Sequence, residues 1–195
     1  MNNEYKVAQY GQWDGYPGGQ GKVVHRFLKT ADLNKFKEQL KKVRFVDAEE
    51  MKKMYEETGA KIDNDGWILI SDAQKFKNRF PQLDRDMGAN VLQYILNTTD
   101  DEILLENAIT FAGDSLFCEW AWLVNLDTEE LEVYTGFNKE PLPDGSRFKG
   151  IKKLEDNTKY YEISLLHSFK ISELPEEKEF VQFLEELSRE KEEIE

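Results

Sequence analysis

Cysteine, histidine and proline are scarce in this sequence. A single cysteine, Cys118, excludes an internal disulfide, and with only His25 and His167 beside it no Cys/His zinc set can be assembled. Disulfide scaffolds and structural zinc modules are therefore out. No apolar run approaches the roughly 20 residues that a membrane span requires, and the opening stretch MNNEYKVAQY lacks the basic-then-apolar layout of a secretory signal. The expectation is a cytoplasmic protein with no membrane partner. Basic charge is also in deficit, with 39 acidic side chains against 26 basic ones and a net charge of −13. The material for a core is ample. The 195 residues are 39% hydrophobic and 12% aromatic, and a chain of this mass buries roughly 70% of the surface it exposes when unfolded. Global disorder is excluded. Length, the absence of internal repeats and the absence of a low-complexity linker favour one domain over 1–195, with an acidic helical tail over about 175–195.

The charge is distributed unevenly. Between Lys22 and Lys53 ten Lys/Arg stand against five acids, whereas from Ile171 to Glu195 ten Glu stand against Lys178, Arg189 and Lys191. A basic N-terminal third and an acidic end suit a protein whose basic face meets nucleic acid while its acidic end repels or imitates it. Solvated helix faces account for the same pattern.

Periodicity supplies the elements. Residues 4–10 alternate loosely and read as a strand feeding the glycine-rich stretch 11–21. Val23, Val24, Phe27 and Leu28 mark one side of a helix over 22–29. Leu33, Phe36, Leu40 and Val43 mark a second from Asp32, with Lys35, Lys37, Lys41 and Lys42 opposite. A third runs over 47–57 and stops before Gly59. Residues 61–70 read as two short strands about an Asp-Gly turn; a calcium loop there fails because Lys61 occupies a ligand position. Further helices are expected over 72–79, capped by Ser71, and over 85–96, and 102–108 suits helix or strand. Residues 117–125 and 131–134 bracket a polar turn as a hairpin. A strand at 160–167 and a helix from Pro175 to Ile194, with Phe180, Phe183, Leu184 and Leu187 as its apolar seam, complete the chain. The fold class is α+β: an antiparallel sheet holding the hairpin, the first strand and the strand near 160, with helices packed mainly on one face.

Chemistry concentrates in the loop 11–21. Five glycines and Pro17 in eleven positions are more than a turn needs, and glycine lets backbone N–H groups approach a ligand closely. The phosphate-loop pattern fails, because Tyr16 stands where a glycine is required and Val23 where Ser/Thr is required. Trp13, Tyr16 and Tyr10 interleave with Gln12, Asp14 and Gln20, and Lys22, His25 and Arg26 follow. Aromatics stack on bases, amides read base edges and cations hold phosphates. Asp14, His25 and Tyr16 are the candidates for proton transfer at a phosphodiester, Lys22 and Arg26 for its phosphate clamp. Glu119, if beside Asp14, would share that work or hold a Mg²⁺ ion; no metal-ligand set is otherwise apparent. The plainer reading makes Trp13 and Tyr16 core aromatics, Asp14 a turn acceptor and His25 a packed helix residue.

The run Tyr10-Gly11-Gln12-Trp13-Asp14-Gly15-Tyr16-Pro17, followed by Gly18, Gln20 and Gly21, resembles the N-terminal signature of a family of small phage and prophage proteins. Weaker echoes are Arg85-Asp86-Met87-Gly88, Glu119-Trp120-Ala121, Asn125-Leu126-Asp127 and Leu131-Glu132-Val133-Tyr134, so the resemblance covers about residues 5–137. It implies phage context more directly than mechanism. Phage proteins of this size and acidity often have anti-defence roles, including anti-CRISPR inhibition of RNA-guided nucleases. Matching the motif marks Gln12, Trp13, Asp14, Tyr16, Gln20 and Glu119 as a shared site. The leading expectation is a protein, monomer or homodimer, that engages or cleaves the guide RNA of a bacterial RNA-guided nuclease through loop 11–21. The alternatives are a non-enzymatic acidic mimic of nucleic acid that binds a bacterial protein, and a protein that binds or hydrolyses a small nucleotide signal.

Overall fold

The computed structural model describes residues 4–60, 70–152 and 159–194, and the architecture is α+β. The expected turn at 61–70 lies outside the described residues apart from Ile70. Six α-helices are described: α1 (Lys22–Thr30), α2 (Leu33–Leu40), α3 (Ala48–Glu57), α4 (Ile70–Arg79), α5 (Val91–Asn97) and α6 (Glu177–Ile194). The caps explain the starts. Asp32 accepts from the backbone N–H groups of Asn34 and Lys35, and Asp47 forms a reciprocal capping box with Glu50.

Two small sheets are present among the described residues. Strands β1 (Val43–Phe45) and β2 (Ile103–Leu105) pair in parallel, and β3 (Trp120–Asn125), β4 (Glu130–Thr135) and β5 (Ser164–Lys170) form an antiparallel sheet in that order. Alternation along the second sheet sorts its side chains into two layers. Trp120, Trp122, Val124, Leu131, Val133 and Phe169 face α1, α5 and α6 and share a core with Phe27, Ile95, Phe180 and Leu184. Ala121, Leu123 and Tyr134 face the other way, against Ala112, Leu142, Phe148 and Ile163 in irregular chain. Helices thus cover one face. A third cluster, Met54, Phe76 and Leu83, joins α3 to α4.

Six expectations are corrected. Ser71, expected to cap the helix over 72–79, lies within α4, and the first strand of the hairpin begins at Trp120 rather than 117. Residues 4–10 do not join the antiparallel sheet: Ala8 makes only a single parallel bridge to Asn107, and Val7 and Tyr5 end in different cores. Val43, expected on α2, opens β1 instead, because the chain turns at Lys41–Lys42 and recruits Ile103 as its partner. The helix over 85–96 breaks at Gly88 (φ 48°, ψ −136°), so a 3₁₀ segment over Arg85–Asn90 precedes α5. The last strand begins at Ser164 rather than 160, since the Tyr161 and Ile163 N–H groups donate to Asn138 and Ala112 instead of to β4.

Candidate functional site

Loop 11–21 is held by three sets of contacts that its glycines make possible. The Asp14 carbonyl accepts from Gln20 N–H at 2.7 Å, and the Tyr16 carbonyl accepts from Gly19 N–H (3.0 Å) and Gly21 N–H (3.3 Å). Asp14 takes a left-handed backbone (φ 57°), a conformation that aspartate tolerates better than most residues. A Cβ at Gly19 would lie 2.2 Å from the Asp14 carbonyl oxygen, and one at Gly21 2.7 Å from the Trp122 ring. Only glycine fits either place. Trp122 then donates its indole N–H to the Gly15 carbonyl at 2.9 Å, tying the loop to β3.

Gln20 supplies the third set. Its amide donates to the Trp13 carbonyl (3.2 Å) and accepts from Ala89 N–H (2.8 Å), next to the break at Gly88. A Cβ at Gly88 would sit 2.7 Å from that amide. Gln20 therefore spends its donor and acceptor within the fold and links the loop to Arg85–Asn90. The backbone N–H of Gln12 adds a bond to the Arg85 carbonyl at 3.3 Å.

The side chains left facing solvent are Gln12, Trp13, Asp14 and Tyr16. Trp13 is 63% and Tyr16 50% exposed, so neither is a core aromatic. Beside Trp13 lies Asp86; the Lys77 ammonium, with a smaller contribution from the indole, holds its carboxyl below its ordinary value.

Of the basic residues after the loop, His25, Arg26 and Lys29 are engaged by the C-terminal segment. His25 is 3% exposed, with Nε2 2.8 Å from the Pro175 carbonyl oxygen and its ring 4.8 Å from that of Phe180. A carbonyl only accepts, so Nε2 carries the proton in this contact. Arg26 grips Glu177 through Nε and through Nη2 (2.8 Å), which lowers the Glu177 carboxyl below its ordinary value. Lys29 donates to the Leu174 carbonyl at 2.7 Å. Lys22 lines a surface groove with Glu177, Lys178, Val181, Gln182 and Glu185. The basic side of α1 is largely occupied by the acidic helix α6 and the segment that precedes it.

Glu119 is exposed immediately before β3, and its carbonyl accepts from Gly136 N–H at 2.8 Å. Its charge falls near Tyr10 and Cys118. Burial, followed by the nearby Glu119, pushes the Cys118 thiol up to about 12, so it is not a thiolate nucleophile at neutral pH. Tyr10 stacks on Phe111 (3.7 Å between centroids) with the Arg85 guanidinium 5.7 Å above its ring. Among the described residues no hydrogen bond or ion pair joins Asp14 to Glu119, and no group of three or more His, Cys, Asp or Glu side chains is arranged to hold a metal ion.

The structure thus gathers Gln12, Trp13, Asp14 and Tyr16 on one exposed loop, assigns Gln20 to the scaffold and buries His25. Two neighbours of the loop had no signal in the motif itself. Pro17 and Tyr16 border a shallow groove completed by Trp120 from β3 and by Glu185, Ser188 and Arg189 from α6. Nothing in the local sequence announces that the C-terminal helix lands beside the N-terminal loop. The chain matches no family model, no curated protein and no solved structure. Among the described residues no helix is long and apolar enough to cross a membrane.

Proposed function

We propose that this chain is a non-enzymatic inhibitor that occupies a nucleic-acid-binding surface of a bacterial protein, an RNA-guided nuclease being the partner that the phage resemblance suggests. It would act in the host cytoplasm. The observation that carries this reading is the placement of loop 11–21 beside the acidic helix α6. Exposed aromatics on a hydrogen-bonded loop stand beside a helix that exposes Glu179, Glu185, Glu186 and Glu190. Tyrosine and tryptophan are favoured anchors of protein interfaces. A negative field steers the pair toward a basic surface and keeps nucleic acid away.

The cleavage reading loses its support at three residues. His25 is sealed from solvent, Arg26 is neutralised by Glu177, and Gln20 is committed to the fold.

The test is a purified RNA-guided nuclease with labelled guide RNA, incubated with this protein in Mg²⁺ and in EDTA. The expected outcome is intact guide RNA with target cleavage suppressed, and suppression lost in a Glu179→Lys/Glu186→Lys variant and in Trp13→Ala. Guide RNA shortened by wild type but not by Asp14→Asn would replace this reading with the enzymatic one. Intact RNA with unimpaired cleavage would reject both.

A further inference from the structure

We infer that the groove between loop 11–21 and α6 is an arginine site, which seats a guanidinium from the basic surface of a partner protein. The inference deepens the function proposed above and rests on it for the nature of the partner.

The groove combines an aromatic wall with a carboxylate. Tyr16, Pro17 and Trp120 form one side, and Glu185, Ser188 and Arg189 the other. Gly18 fixes how close the two sides come. The position that a Cβ at residue 18 would occupy is 3.2 Å from the Tyr16 ring and 3.7 Å from Glu185 Oε1. A side chain at 18 would fill that space; glycine leaves it open.

Glu185 is the carboxylate left available there. Glu177 is bound by Arg26, and Glu186 accepts from Gln182 at 2.9 Å, whereas among the described residues no ion pair engages Glu185. The cation on the same wall, Arg189, directs its Nε to the Glu185 backbone carbonyl at 3.2 Å. Lys22 and Lys178 lie along the neighbouring groove, which shares Glu185.

The chemistry selects the occupant. A positive charge over the Tyr16 face is attracted by the ring quadrupole, and a carboxylate alongside adds a charge-assisted hydrogen bond. A planar guanidinium makes both contacts at once, stacked on the ring and forked onto the carboxylate. A lysine ammonium is more strongly hydrated and has no plane to stack. Glu185 and its exposed neighbours Glu186 and Glu190 disfavour a phosphate group there, while Arg189, on the same wall, is turned toward the Glu185 backbone carbonyl.

The experiment titrates the full-length, ¹⁵N-labelled protein with N-acetyl-arginine amide and, in parallel, with N-acetyl-lysine amide, following the Gly18 amide and the Trp120 indole N–H. Saturable shifts at both reporters are expected, with the arginine probe bound about fivefold more tightly than lysine. Glu185→Gln and Tyr16→Ala should each weaken binding about fivefold, and Glu49→Gln on α3 should not. Shifts that are absent or do not saturate, equal affinity for lysine, or undiminished binding in Glu185→Gln would each overturn the site. The titration contains no partner, so failure of nuclease inhibition does not decide it. Conversely, an inhibitor abolished by Glu179→Lys/Glu186→Lys but indifferent to Glu185→Gln would sustain the mimicry and discard the groove.

Discussion

Gly21 lies flat against the indole of Trp122: a Cβ there would approach two ring carbons to 2.7 Å, while the same indole donates to the Gly15 carbonyl. One tryptophan therefore fixes the loop at two places, once by excluding a side chain and once by a hydrogen bond. Gly21→Ala forces the ring or the start of α1 to shift within a packed core, which costs about 1–3 kcal/mol. Thermal unfolding should show the loss. An unchanged midpoint would mean that the ring moves aside freely and does not hold the loop.

Gln20 and Gly88 form the second fastening, and each constrains the other. Gln20→Leu removes a donor and an acceptor and leaves Ala89 N–H and the Trp13 carbonyl without their partner, at a cost of about 1–2 kcal/mol. Gly88→Ala both crowds the amide and strains a positive-φ backbone. Because the two residues touch, the double variant should lose less than the separate losses together. Denaturant unfolding of the three variants measures this, and strict additivity would show that the fastening is not shared.

The fold was legible where local signals act alone. The helix starts at Asp32 and Asp47, the hairpin about 126–129 and the inward side of α6 at Phe180 and Leu184 each depend on residues close in sequence, and each is present, although Phe183, expected in the same seam, is exposed. The first strand misled because alternation cannot say what lies beside it: Ala8 finds a single residue, Asn107, where a strand needs a whole edge. The glycine content of loop 11–21 suggests room for a ligand. Gly19 and Gly21 instead make room for Asp14 and Trp122, contacts separated in the second case by about a hundred residues of chain. Arg26 counts as free on its own helix, and only the arrival of Glu177 in space commits it, whereas the plainer reading of His25 as a packed helix residue holds.

His167 gives the protein an acid-sensitive contact. Its ring sits 4.4 Å from Phe169 and 4.8 Å from Phe183, and burial holds its pKa below the ordinary value. In the unfolded chain a histidine takes up its proton near pH 6.5. As pH falls through that value the unfolded state binds the proton first, so stability is complete above it and declines toward the lower folded value. Unfolding free energies measured from pH 7 to pH 5 should fall less in His167→Gln than in wild type. Parallel curves would remove His167 as a source of the slope.

Glu132 and Arg147 should dominate at lower pH. Glu132 is 7% exposed on the face of β4 away from the helices, where Arg147 Nε donates to it at 2.8 Å, with further bonds from Arg147 Nη2, Tyr134 and Asn125. Burial acts to raise its carboxyl, but the donors prevail and hold it below its usual value. A depressed carboxylate contributes stability above its unfolded value, about 4.3, and loses it as pH falls through the folded one. Glu132→Gln should therefore flatten the acid limb of the stability curve below about pH 4. Arg147→Met leaves a buried carboxylate without its cation and should cost about 3 kcal/mol near neutral pH. The Glu132→Gln/Arg147→Met pair removes both charges and should recover much of that loss, as calorimetry on the four proteins will show; a double variant as unstable as the separate losses together would mean that the two side chains act independently.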